Sequence, residues 1–335
     1  MENTASESTP PRSAVAGPVP STRATLLIGV TAAIIAFTLY SGTFRAPFIS
    51  DDLEYVRDNP LVHSLRSFPA IWTNSYPPGK PLQGLYRPVT EASYLADWVI
   101  FGLASGPSHV TNAVLHAAAT ALFTLAFVCL GGSVFAASAA GLVFATQTVH
   151  TEAVSWIVGR AEVLAGVFCF AAVLTWIEFR KSGKTMFLTW TAIAYFFALG
   201  TKETAAPLPA ALLLCDTLGL VPEKQAAGRR QASIRELLRP YAALAAAFAA
   251  YALLRINAIG RFGMDAAGYA FARYPESTRF ASAWAIIGKY TTLCVIPLGF
   301  PRGLGRCRAL TGAIYKRPRH SFAQLRAPPQ GSGPR

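Results

Sequence analysis

ATLLIGVTAAIIAFTLYS, residues Ala24–Ser41, carries no charge over its whole length and is followed ten residues later by the adjacent carboxylates Asp51 and Asp52. A helix of that length is about enough to cross a hydrocarbon core of ~30 Å. Carboxylates at such a boundary are costly unless they face water, a partner or a substrate. The run exceeds a signal-peptide core and lacks a small-x-small cleavage site, so it reads as a retained helix.

The whole chain shares this character. Its 335 residues are 53% hydrophobic and only 14% charged, against about 25% charged in a soluble domain. An all-α, polytopic membrane protein is therefore expected. After Ala24–Ser41, apolar runs at His109–Leu130, Ser133–Val149, Val163–Phe179, Met186–Gly200, Ala205–Val221, Tyr241–Ile256 and Phe280–Leu298 bring the predicted spans to eight. Between the first two lie a long polar loop, 44–88, and Val89–Leu103, whose Glu91 and Asp97 among aromatics suit an interfacial helix. A disordered cytoplasmic tail, 1–23, precedes the membrane domain, 24–298, and a basic tail, 299–335, follows it.

The net charge of +13 does not point to nucleic acid. Residues 299–335 hold eight basic and no acidic side chains, and most of the remaining excess lies in short loops. The basic loops Glu178–Lys184 and Glu223–Arg239 fall on the side of the N-terminal tail, which makes that side cytoplasmic. Loop 44–88 is then external, as are His150–Glu162, Thr201–Thr204 and Asn257–Arg279. None of the five cysteines forms a CxxC pair, so neither a disulfide framework nor a zinc site is expected.

This orientation, set by Lys and Arg in the loops, collects Asp51, Asp52, Arg87, His150, Glu152, Arg160, Glu162, Lys202 and Glu203 on the external face. Span ends are ordinary places for charge. Arg160 and Lys202, however, stand against the positive-inside bias, each close to a glutamate, and such a set suits binding a phosphate beside carboxylates that transfer protons. His150 and Glu152 are types that bind zinc or manganese, so a divalent metal stays open; two ligands make no site, and no cofactor is otherwise indicated. Thr201-Lys202-Glu203-Thr204 is either an ion pair capping the next helix or a lysine presented to phosphate. His109, Asn112 and His116 form one helical stripe, for helix–helix hydrogen bonding or for the site. No Walker loop, GxSxG elbow or HExxH is present.

The stretches FISDDLEYVRDNP (48–60), YRPVTEASY (86–94), HVTNAVLH (109–116), FATQTVHTEAVSWIVGRAEVLA (144–165) and LGTKETAAPLP (199–209) resemble the membrane portion of the transmembrane-and-tetratricopeptide-repeat O-mannosyltransferase family. That family belongs with the protein O-mannosyltransferases to the GT-C superfamily. The resemblance spans roughly Ala24 to Leu298. It implies a GT-C-like fold with interfacial helices in a large first external loop. It also implies transfer of a mannose-like hexose from a polyprenyl-phosphate carrier to an acceptor hydroxyl on a protein or glycan at the external or luminal face. Carried over residue by residue, Asp51 and Asp52 match the acidic pair of the first loop. Asp51 is the first choice for the base and Asp52 for positioning acceptor or sugar, with the roles exchangeable. Lys202 and Arg160 are expected near the donor phosphate, with His150, Glu152, Glu203, Arg87 and Glu162 in support.

Two departures accompany the likeness. Gln147 stands where family members carry the first element of a His-Pro dipeptide. The family also continues into further spans and helical repeats, where this sequence has a basic tail that reads as out-of-frame or truncated. Two alternatives follow: a non-catalytic fragment of such an enzyme, or a transporter, which would show mid-span charges and internal pseudo-symmetry. An Ala- and Arg-rich composition suits a bacterial inner-membrane protein with a periplasmic site, or an endoplasmic reticulum protein in a eukaryote.

Overall fold

A computed structural model describes residues 21–81, 84–221, 238–260 and 274–295. The tails and most of the basic loop Glu223–Arg239 lie outside them, as does the middle of Asn257–Arg279. Every described element is helical, with no strand among the described residues.

Helix α1 (Thr22–Leu39) begins where the Ser21 hydroxyl caps the Ala24 N–H. The segment that follows, up to residue 87, is a chain of short turns containing one brief helix, α2 (Phe68–Ile71). Pro88, whose missing N–H costs nothing at a first helical position, opens α3 (Pro88–Phe101). Then come α4 (Ser105–Cys129), α5 (Val134–Thr146), α6 (His150–Ser155) and α7 (Arg160–Ser182), which ends on left-handed Gly183. The series closes with α8 (Thr185–Thr201), α9 (Leu208–Thr217), α10 (Tyr241–Ile259) and α11 (Glu276–Val295).

Helix α1 packs against α4 and α5, α4 against α7, α7 against α8, and α8 against α10. Small residues permit close approach where there is no water to drive association. A Cβ on Gly141 of α5 would stand 2.4 Å from the Thr124 hydroxyl of α4, so the α4–α5 contact requires glycine there. Larger side chains from α7, α8 and α10, among them Trp176, Tyr195, Leu199 and Tyr251, build one buried cluster. A second cluster, with Val56, Ile71, Tyr76, Tyr94 and Ile157, seats the external segment on α3 and on the turn before α7.

Among the described residues, four helices are long and apolar enough to cross a membrane: α1 extended to Thr43, α4, α7 and α10. All eight predicted spans contain a helix, but the other four differ in kind. Helices α5, α8 and α9 have 13, 17 and 10 residues, which at ~1.5 Å per residue gives about 15–26 Å. Helix α11 carries Glu276, Arg279 and Lys289. The apolar runs overestimated α5, which stops at Gln147, and α9, which starts only after Pro207, whereas α8 is two residues longer than its run and stops at Lys202.

Helix α9 leaves the Lys202-Glu203 turn and finishes at the opposite end of the bundle. There its Asp216 accepts hydrogen bonds from Trp176 Nε1 (3.2 Å) and the Tyr241 hydroxyl (2.9 Å), with Arg180 at 3.5 Å. This buried carboxylate fastens α7, α9 and α10 together at the end remote from the site.

Candidate functional site

At the other end, the segment between α1 and α3 is held down by Asp52. The side chain is fully buried; Oδ1 accepts the Val158 N–H at 3.0 Å and Oδ2 accepts the Ile49 N–H at 3.2 Å. Burial raises its pKa, against the two N–H groups that lower it. Asp51 is exposed beside it, within 3.4 Å of the Ser50 hydroxyl. Ser50 has φ +48°, the one left-handed non-glycine residue among those described, and such strain clusters at functional positions. Neighbours in sequence, the two aspartates thus differ in kind: one is a buried clasp, the other a free carboxylate.

A cavity of about 420 Å³ opens next to this clasp, lined by Arg87, His150, Glu152, Trp156, Glu162, Lys202 and Tyr290 along with smaller residues. Five of the nine residues expected from the sequence line it; Asp51, Asp52, Arg160 and Glu203 do not. Lys202 Nζ pairs with Glu162 across the cavity wall. Arg87 donates to Glu203 Oε2 at 3.0 Å, and Arg255 of α10 reaches the other oxygen at 3.2 Å. Burial would raise the Glu203 pKa, but the two arginines together hold it below the usual glutamate value. Glu152 is exposed at the rim.

Arg160 stands apart from the cavity. The guanidinium is fully buried and faces away from the cavity. It donates to Asn112 Oδ1 (2.7 Å), Asp97 Oδ2 (2.5 Å) and the carbonyls of Ser93 (3.1 Å) and Ser108 (3.0 Å), over the Tyr94 ring. It locks α3, α4 and α7 together instead of facing a phosphate. Asn112 completes the lock by donating to the carbonyls of Trp156 (2.9 Å) and Ile157 (3.3 Å). His116 is within 3.3 Å of the Ala145 carbonyl. Those two members of the polar stripe therefore join helices and loops. The tight α6–α7 turn depends on Gly159, where a Cβ would fall 2.5 Å from the Ala153 carbonyl.

His150 forms the boundary with a second, apolar cavity of about 250 Å³ between α4, α5 and α7. The two cavities share His150, Ala153 and Glu162. The imidazole packs on Phe144 and His116 at ring-centre distances of 4.6 and 5.3 Å. Burial, and then the adjacent His116, push its pKa down to about 4, so it is neutral at physiological pH. No group of three or more potential metal ligands exists among the described residues; His150 and Glu152 remain a pair.

Three residues of the site were missed in the sequence. Arg255 lies near the end of an apolar helix, 52 positions from its partner Glu203. Trp156 was hidden among the aromatics common at interfaces, and its indole reaches the Ile49 carbonyl at 3.4 Å. Glu91 is fully buried, accepts from Asn59 at 2.9 Å, and is pushed up to about 8 by burial.

Four membrane-length helices among the described residues, with a charged cavity at one end of the bundle, mark an all-helical membrane protein. Comparison with known proteins gives the relationship. The chain is 34% identical over 196 residues to protein O-mannosyl-transferase Tmtc2 of Drosophila melanogaster, covering 54% of this chain and 20% of that protein. It is 30% identical over 178 residues to human protein O-mannosyl-transferase TMTC3, covering 51% and 18%. With human TMTC2 it shares 32% over 158 residues, 46% and 19%. The chain is thus related to the TMTC protein O-mannosyl-transferases and spans about a fifth of the length of these relatives. No protein-family model and no solved structure matches it. These relatives are animal proteins, and the bacterial inner-membrane expectation finds no support among them.

Proposed function

We propose that the chain is the donor-binding part of a GT-C-type glycosyltransferase that moves a mannose-like hexose from a polyprenyl-phosphate carrier to a protein hydroxyl outside the cytoplasm. The observation that carries this reading is the pair of joined cavities. A charged compartment with Lys202 and Arg87 suits a sugar phosphate, and the apolar one beyond His150 suits the start of a lipid chain. The animal relatives named as protein O-mannosyl-transferases support the same class of reaction and favour a luminal site in the endoplasmic reticulum. All eight helical segments belong, on this reading, to a domain that crosses the membrane.

The chemistry follows from charge. The carrier leaves as a phosphate more negative than the diester it was, so fixed cations near it stabilise the transition state more than the ground state. Lys202 takes that role, with Arg87 beside it; Arg160 is withdrawn from it. The acceptor hydroxyl needs a base within hydrogen-bond reach. Asp51 fits because it is exposed and unclasped, whereas both oxygens of Asp52 are engaged by backbone N–H groups. Neutral His150 donates or accepts a hydrogen bond at the mouth of the lipid compartment. A divalent metal at His150 and Glu152 would require ligands from the substrate phosphate.

The direct test is transfer of radiolabelled mannose from a polyprenyl-phosphate donor to a Ser/Thr-rich peptide by the full chain in lipid nanodiscs. Transfer abolished by Asp51→Asn, with expression unchanged, is the expected result. Undiminished transfer by that variant removes Asp51 from the reaction.

A further inference from the structure

A third cavity, of about 400 Å³, lies on the outer side of the first external segment. Its wall includes Leu53, Asn59, Pro60, Pro77 and Pro78, with Glu54, Arg57, Asp58 and Lys80 at the rim. Ser50 lines this outer cavity, and Val158 lines the charged inner one. The short path between them runs through Ser50, Asp51 and Asp52, because Asp52 is bonded to the Val158 N–H. The two aspartates therefore lie on the chain path between the two compartments, with Asp52 bonded to the wall of the inner one. The left-handed turn at Ser50 makes the corner.

A transferase brings two substrates to opposite sides of one base. We propose that the outer cavity is the acceptor site and that it takes an extended, unfolded polypeptide segment. This inference rests on the transferase reading for the inner cavity, but its ligand is argued from the outer cavity alone. The rim has two ion pairs of opposite polarity, Arg57 with Asp58 at 2.7 Å and Lys80 with Glu54 at 2.5 Å. All four side chains are roughly half exposed, so each retains hydrogen-bonding capacity toward a ligand. Cations face the carbonyls of an extended chain and carboxylates face its N–H groups, without net charge to demand an acidic or a basic partner. Asn59 is 1% exposed and supplies a rigid polar floor, its amide donating to Tyr55 O and Glu91 Oε1. The prolines offer flat apolar surface with no N–H of their own to compete. No aromatic side chain lines the cavity, which disfavours a glycan, whose rings commonly stack on aromatic faces.

The test uses the full chain in nanodiscs and a biotinylated fifteen-residue peptide of Ala, Thr and Ser with a central diazirine, cross-linked by light and mapped by mass spectrometry. The comparison protein is the quadruple variant Glu54→Ala, Arg57→Ala, Asp58→Ala, Lys80→Ala, which keeps net charge and alters only exposed side chains. Cross-links within residues 50–60 and 77–81 are expected, displaced by unlabelled peptide and reduced at least tenfold in the variant. Cross-links elsewhere, absent cross-linking, insensitivity to the variant, or displacement by oligomannose in place of peptide would each overturn the proposal. Peptide captured here by a chain that transfers no sugar would count against the transferase reading alone. Sugar transfer with the peptide mapped elsewhere would count against the acceptor site alone.

Discussion

Asp52 Oδ1 accepts the backbone N–H of Val158 across 3.0 Å and 106 residues of sequence. This bond fixes the segment between α1 and α3 to the entry of α7. Adjacent carboxylates on either side of such a clasp carry different consequences when altered.

Asp52→Ala leaves the N–H groups of Val158 and Ile49 without their acceptor. Each buried unsatisfied group costs about 1–3 kcal/mol, so thermal unfolding in detergent is expected several degrees lower. Asp51→Ala, at an exposed site, should leave the unfolding temperature unchanged. Equal losses for both variants would contradict the division of roles.

Arg160→Met leaves Asp97 buried without its cation. Breaking a buried pair from one side costs about 3–5 kcal/mol, and the protein should be poorly folded. The double variant Arg160→Met, Asp97→Leu should recover much of that stability, read from the unfolding curve. A well-folded Arg160→Met protein with selectively weakened donor binding would return Arg160 to the phosphate.

Lys202→Ala should lower kcat for sugar transfer by about 10²-fold, in line with removal of one group that stabilises developing charge. Lys202→Arg should keep part of the activity. Because Glu162 loses its partner in Lys202→Ala, the paired variant Lys202→Ala, Glu162→Gln separates loss of the cation from an uncompensated carboxylate.

Glu91 and His150 give opposite dependences on pH. Glu91 keeps its proton in the folded state up to about 8, while an unfolded glutamate loses it near 4.5. The folded state binds more protons across that window, so stability falls as pH rises through it. Glu91→Gln should remove this fall. His150 is neutral in the folded state down to about 4, while an unfolded histidine gains its proton near 6.5. The unfolded state binds more protons there, so stability falls as pH drops from 6.5 toward 4, and His150→Gln should abolish that contribution. Denaturant titrations at pH 4.5, 6 and 8 read both slopes.

Particular residues explain how far the sequence could be read. Ala24–Ser41 announced a membrane helix because uninterrupted apolar length is a local property, and four such helices are present. The cluster of Arg87, His150, Glu152, Glu162 and Lys202 was also legible, since counting spans puts their loops on one face. Side-chain direction was not. Nothing in the sequence Val-Gly-Arg160-Ala-Glu162 says that the arginine turns inward while the glutamate turns to the cavity; that choice is made by Asn112 and Asp97 on other helices. Asp51 and Asp52 were interchangeable as letters, and the backbone N–H groups of Val158 and Ile49 distinguish them. Arg255 escaped because its partner is brought to it by α8 and α10 packing, which no local pattern encodes.

Lys202 and Arg87 are each already engaged by a glutamate, Glu162 and Glu203. An arriving anion meets no empty positive well and must displace a resident carboxylate. Small ions such as chloride or free phosphate gain little from that exchange. On the proposed function, a ligand that also fills the apolar recess behind His150 would gain more, and the ion pairs would act as a filter that admits amphiphilic phosphates over the abundant soluble ones.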